Sequence, residues 1–136
     1  MSKLEDLKTK YPKAFNNKYG DFYFECMDGW ADLIEPIVAE LHAFNEKQAD
    51  EFAIMYPMQV KEKFGTLRFY CNGTTDEVDE LIRKATKQSA VTCETCGKPG
   101  ELIASSWLYT ACPEHTREGD KPYSQVQKEI DITKGL

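Results

Sequence analysis

Between Trp30 and Phe44 the apolar positions recur at spacings of three and four: Trp30, Leu33, Ile34, Ile37, Val38, Leu41 and Phe44. That is one face of an amphipathic helix. Asp28 stands where an N-cap belongs. Pro36 leaves two forms open. Either the helix begins near Asp32, with the proline in its first turn, or it bends at the proline, which costs about 3 kcal/mol inside a helix. A second stripe, Val78, Leu81, Ile82 and Ala85, predicts a helix running to about Ser89. The capping box Thr74-x-x-Glu77 opens it. Asp76 and Glu77 then lie at the positive end of its dipole, and Arg83, Lys84 and Lys87 toward the negative end. Leu4 and Leu7 mark a short helix over residues 2–10 that Tyr11-Pro12 breaks.

The period changes to two from Met58. Met58, Val60 and Glu62 alternate with Gln59, Lys61 and Lys63, and Leu67, Phe69 and Cys71 alternate with Thr66, Arg68 and Tyr70. Two alternating runs around Phe64-Gly65 predict a β-hairpin with Gly65 at a positive-φ turn position. Leu67, Phe69 and Cys71 then face the core, while Lys61, Lys63, Arg68 and Tyr70 share the outer face. The aromatic run from Asp21 to Cys26 reads as a further strand. Residues 46–56 show no decisive period. These elements predict an α+β fold: a small antiparallel sheet on two main helices over residues 1–91, closed by a ribbon-like segment at 92–116. A polar tail at 117–136 follows, in which Tyr123 to Ile132 form a short helix on Val126 and Ile130, or order only against a partner.

Composition narrows the class. In 136 residues, 41% hydrophobic and 29% charged positions fit one folded domain and not a disordered chain. No apolar run approaches the roughly 20 residues of a membrane span, and the N-terminus lacks the apolar stretch of a secretory signal. The expected location is therefore the cytoplasm. The net charge of −6 is uneven: from Met1 to Met55 the chain holds 11 acids against 6 lysines. Such a chain suits a basic partner better than a nucleic-acid backbone.

Five cysteines in a reducing compartment point to metal, not to a disulfide framework. Cys93-Glu94-Thr95-Cys96-Gly97 has the form of a zinc knuckle, because a two-residue spacing lets both sulfurs reach one ion. Cys112-Pro113-Glu114-His115 repeats that spacing fifteen residues later. Cys93, Cys96, Cys112 and His115 thus form a Cys₃His set for one structural Zn²⁺. Leu102-Ile103-Ala104 and Trp107-Leu108-Tyr109 form the hairpin that joins the two knuckles. A thioredoxin-like CxxC needs to open a helix, which Gly97-Lys98-Pro99-Gly100 does not allow. A zinc deaminase needs an H-x-E, which His42 in Leu41-His42-Ala43 does not supply. Four protein ligands leave no position for water, so the ion is a fastener. Cys26 and Cys71 read as packed free thiols, His42 as a packed or rim histidine, and Trp30 and Trp107 as core anchors.

Gly29-Trp30-x-x-Leu33-Ile34, the block from Val60 to Tyr70 and the closing Cys-x-x-Cys-Gly…Trp107-x-x-Thr110-x-Cys112 resemble a group of small uncharacterised proteins encoded by bacteriophages and prophages. The resemblance covers residues 28–115. It implies a phage-type origin in a bacterial host cell and an architecture, and it carries no activity. The expected function is therefore that of a non-enzymatic protein that binds a host protein, as an anti-CRISPR-like inhibitor of a bacterial defence system does. The alternatives are a nucleic-acid-binding module, using Lys61, Lys63, Arg68 and Tyr70, and an enzyme of unnamed reaction. Oligomeric state and partner stay open.

Overall fold

The computed structural model describes residues 2–16, 18 and 20–133. Among these residues, four α-helices and two small antiparallel sheets make up an α+β fold. The helices are α1 (Lys3–Lys10), α2 (Ala31–Glu46), α3 (Asp76–Ser89) and α4 (Tyr123–Thr133). Strands β1 (Pro57–Lys63) and β2 (Thr66–Cys71) form the first sheet. Strands β3 (Glu101–Ala104), β4 (Tyr109–Ala111) and β5 (Lys121–Pro122) form the second, in the order β4-β3-β5.

The main core is built on α2. Of the predicted stripe, Trp30, Ile34, Ile37, Val38 and Leu41 are buried completely, while Leu33 and Phe44 are partly buried at its edges. They meet Leu4 and Leu7 of α1, Val60, Leu67 and Phe69 of the hairpin, and Val78 and Ala85 of α3. Pro36 lies inside α2, which begins at Ala31 after a tight turn at Asp28–Trp30. The proline therefore occupies neither the first turn nor a helix end. The lost backbone bond is outweighed by a helix buried along one whole face. The capping residues differ from those the sequence suggests. Asp28 caps α1, not α2: its carboxylate accepts from Ser2 Oγ at 2.7 Å and from the amides of Lys3 and Leu4, each at 3.2 Å. Thr75, not Thr74, caps α3 by accepting from the Val78 amide at 3.2 Å.

The hairpin forms around a two-residue turn. Both Phe64 (φ 53°) and Gly65 (φ 83°) are left-handed, as a tight turn that follows the strand twist requires. Cross-strand pairs run Lys63↔Thr66, Glu62↔Leu67, Lys61↔Arg68, Val60↔Phe69 and Gln59↔Tyr70. The alternation of β2 holds: Leu67 and Phe69 are buried, with Cys71 packed at the edge of the core. In β1 it fails at Met58, where the register slips between Pro57 and Gln59 and the thioether becomes 64% exposed.

Residues 21–26 form no full strand. Only Glu25 bridges β1, in parallel beside Lys61; its amide donates to Val60 O at 2.8 Å and its carbonyl accepts from the Glu62 amide at 3.4 Å. Phe22 and Phe24 are taken up in an aromatic cluster with Phe15, with the Phe22 and Phe24 ring centres 5.1 Å apart. Lys8 Nζ donates to Phe22 O above these rings. The undecided stretch at 46–56 is ordered by buried Asn45, whose amide donates to Lys13 O and Met55 O, both at 2.7 Å, and accepts from Met55 N at 2.9 Å. No helix among the described residues is long and apolar enough to cross a membrane.

Candidate metal centre

The two knuckles come from different backbone devices. In the first, the Gly97 amide donates to Cys93 O at 2.9 Å and the Cys93 amide to Lys98 O at 2.8 Å, closing a turn that Gly97 completes at φ 84°. In the second, Cys112 precedes a tight turn at Pro113–His115, closed by His115 N donating to Cys112 O at 3.1 Å. Strands β3 and β4 join them through the pairs Glu101↔Ala111, Leu102↔Thr110 and Ile103↔Tyr109. The strand that precedes the second knuckle starts at Tyr109, not at Trp107. Trp107 lies in the connecting loop and is no core anchor: it is 55% exposed, with the Arg117 guanidinium 4.7 Å from its ring centre. Arg117 also stands 5.0 Å from the Tyr109 ring. The Tyr109 hydroxyl donates to Asp120 at 2.5 Å and accepts from the Arg117 amide at 3.0 Å. These contacts and the pairing of β3 with β5 carry the sheet past residue 117, into the segment expected as a tail.

Cys93, Cys96, Cys112 and His115 converge. Their four donor atoms lie within 4.8 Å of one another. The individual separations are 3.6 Å for Cys96 Sγ to Cys112 Sγ, 3.7 Å for Cys93 Sγ to His115 Nδ1 and 3.1 Å for Cys112 Sγ to His115 Nδ1. A tetrahedral ion with sulfur ligands at about 2.3 Å needs donor separations of about 3.5–3.8 Å. Two of these separations fall in that range and the third is shorter, so the donors cluster on the scale one ion spans; no disulfide competes, since all five cysteines are free. Cys93 and Cys112 are buried, His115 is half-buried and Cys96 faces outward.

The protonation pattern suits a cation. Burial works against the Cys93 thiolate, but the amides of Cys112, Cys96 and Thr95 directed at its sulfur prevail and bring the thiol down to about 6. The Lys98 amide favours the Cys96 thiolate, yet burial and the adjoining sulfurs of Cys112 and Cys93 hold this thiol above its usual value. A second thiolate is resisted because it meets the first, and a divalent ion removes that repulsion. The other two cysteines differ. Burial pushes Cys26 up to about 12 and Cys71 up to about 11, aided by Glu94 and Asp28 in one case and Asp79 in the other. They are neutral thiols packed on the main core.

The centre is stitched to that core at points that the sequence does not advertise. The Gly29 amide donates to Glu94 O at 2.7 Å, and the Trp30 indole to Thr92 O at 2.9 Å. A Cβ at Gly29 would stand 2.2 Å from Cys93 O. Glu94 also accepts at its carboxylate from the Met27 amide at 3.1 Å, and burial raises that carboxyl to about 6. From the hairpin, Gly65 O accepts from buried Thr110 Oγ1 at 2.6 Å. Gly29-Trp30 and Phe64-Gly65 are visible as motifs, but their partners, Thr92, Glu94 and Thr110, lie far along the chain. A glycine immediately before a buried tryptophan is the one local sign that two backbones meet there.

The outer hairpin face brings Lys61, Lys63, Arg68 and Tyr70 together as predicted by the register. His42 is a packing residue: its Nδ1 accepts from the Lys13 amide at 3.0 Å, and its ring stands edge-on to Tyr11. No protein-family model, curated protein or solved structure matches the chain.

Proposed function

We propose that Cys93, Cys96, Cys112 and His115 hold one zinc ion as a structural fastener, and that the chain works as a non-enzymatic binding protein. The observation that carries this reading is the convergence of four protein donors within 4.8 Å of one another. Three sulfurs and one imidazole favour zinc over the harder divalent ions, and a shell closed by four ligands leaves no site for a reacting water. The N–H groups aimed at the sulfurs do the orienting work that such a site needs.

The binding role rests on the acidity of the stretch from Met1 to Met55 and on the resemblance to phage and prophage proteins. Together they point to a host protein with a basic surface, as expected of an inhibitor of a bacterial defence system of the anti-CRISPR kind. Native mass spectrometry should find one zinc per chain, lost in Cys112→Ser. Affinity capture from bacterial lysate at low and moderate salt should return one stoichiometric protein partner. A chain without metal sinks the first half of the proposal, and capture without a stoichiometric partner at either salt sinks the second.

A further inference from the structure

The outer face of the β1–β2 hairpin carries three cations in a small area. Lys61 sits directly opposite Arg68, and Lys63 lies two positions further along the same strand face. None of the three forms an ion pair among the described residues. Like charges directly across an antiparallel pair destabilise it. The Glu25 carboxylate, on the segment bridged to Lys61, accepts from Gln59 Nε2 at 2.9 Å and pairs with none of the three. Arg68 Nε is sealed from solvent without an acceptor. Such a face is suited to an anionic partner.

Aromatic rings bound the row of cations. Tyr70, 47% exposed, follows Arg68 on the same face. Phe64, 65% exposed, lies at the turn with Lys63 Nζ 5.6 Å from its ring centre. Phe64 is also the one non-glycine with positive φ among the described residues. Asn or Gly is the usual choice at that position, and a bulky side chain is strained there. Its ring adds nothing to the core. A strained, exposed aromatic residue that serves no packing role marks a contact to something else.

We propose that this face binds single-stranded nucleic acid, with Lys61, Lys63 and Arg68 on phosphates and Phe64 and Tyr70 as stacking platforms for bases. Alternating cations and exposed rings is the pattern of sequence-tolerant single-strand binding. An acidic protein segment would satisfy the charges but would leave the two rings without their matching surface. The overall charge of −6 does not forbid the contact. At physiological salt the screening length is about 8 Å, so only charges near the face act on the strand. The site is independent of the metal and of any host protein.

The test uses the zinc-loaded full chain and a fluorescein-labelled oligothymidylate, followed by anisotropy. Saturable binding is expected at low salt, with an affinity that falls as salt rises by a log–log slope of about −2, from about −0.7 per phosphate and three phosphates. Lys61→Glu with Lys63→Glu should abolish it. Phe64→Asn supplies the fold control. It should melt no lower than the wild type, because Asn accepts the left-handed turn, yet lose about fivefold or more in affinity with the stacked base. Absence of saturable binding at low salt overturns the proposal, as does binding that survives the charge reversal. Equal binding by Phe64→Asn removes the stacking role. Equally tight competition by poly-L-glutamate would reassign the face to an acidic protein segment.

Discussion

At the residue scale, the atoms that matter most are often hydrogens on glycine. Gly29 has no room for a side chain: a Cβ would lie 2.2 Å from Cys93 O and 2.4 Å from Glu94 O, both rigid backbone atoms beside the metal centre. Gly29→Ala must therefore push the metal segment off the N-terminus of α2 and break the bond from the Gly29 amide to Glu94 O. A cost of about 3 kcal/mol or more is expected, since overpacking and a lost buried hydrogen bond add. Gly73 is the matched control, with nothing within 4 Å of its Cβ position and no positive φ. Gly73→Ala should be neutral or stabilise by about 0.5 kcal/mol, by restricting the unfolded chain. Urea denaturation of both variants checks the pair, and equal midpoints would refute the reading of Gly29. The convergence of Cys93, Cys96, Cys112 and His115 was legible because CxxC and CxxH spacing is local in sequence and geometrically strict. The role of Gly29 was not, because it depends on the backbone of Cys93 and Glu94, far along the chain.

At the scale of elements, period served better than punctuation. The stripes of α2 and α3 and the alternation of β2 follow from burial of one face, which any compact fold must satisfy. Caps, bulges and bridges answer to whatever lies across the chain. Met58 leaves the face its position implies because a bulge intervenes, and Phe22 and Phe24 pack with Phe15 in place of extending a ladder. Asp28 is the clearest case. Placed by sequence at the start of α2, it holds α1 to the body of the protein through Ser2, Lys3 and Leu4. Its bond from Ser2, supported by the Leu4 and Lys3 amides, keeps its carboxyl below the ordinary value of 3.8. A depressed folded-state value means that the ionised form stabilises the fold at pH above 3.8 and that this contribution disappears as the pH falls through the folded-state value. Asp28→Ala should therefore destabilise the chain at neutral pH by about 1 kcal/mol, the usual worth of a cap. The difference from the wild type should shrink on acidification below pH 3.8. Stability curves for both chains across that range decide it, and a gap independent of pH would show that the carboxylate charge is not what holds α1.

At the scale of the whole molecule, two apolar clusters meet at a polar seam. One is the core around α2; the other is the small cluster of Cys93, Ile103, Ala111 and Cys112. So small a cluster cannot fold a segment unaided, so under the proposed reading it depends on a bound metal. The seam makes that dependence mutual. The indole of Trp30, wholly buried in the first cluster, ends on Thr92 O, and the hairpin turn ends on Thr110. Loss of the metal should therefore be felt at Trp30, well inside the helical core. The two tryptophans make this measurable: Trp107 is 55% exposed at the rim and Trp30 is fully buried, so Trp107→Phe leaves a fluorescence signal from the core alone. In that variant, chelation should lower the urea midpoint reported by Trp30, by at least about 3 kcal/mol of stability, a modest share of the roughly 10–16 kcal/mol released when structural zinc binds a small finger. The cysteines give a parallel readout. With metal bound, thiol reagents at neutral pH should find no fast-reacting group, because Cys26 and Cys71 are held neutral and packed. Chelation should release three reactive thiols, those of Cys93, Cys96 and Cys112. If chelation freed the three thiols and left the Trp30 midpoint in place, the seam would be a mere contact between independent units. A shift in both, with the same dependence on chelator, would mean that the ion holds the α2 core and the β3–β4–β5 sheet together as one cooperative structure.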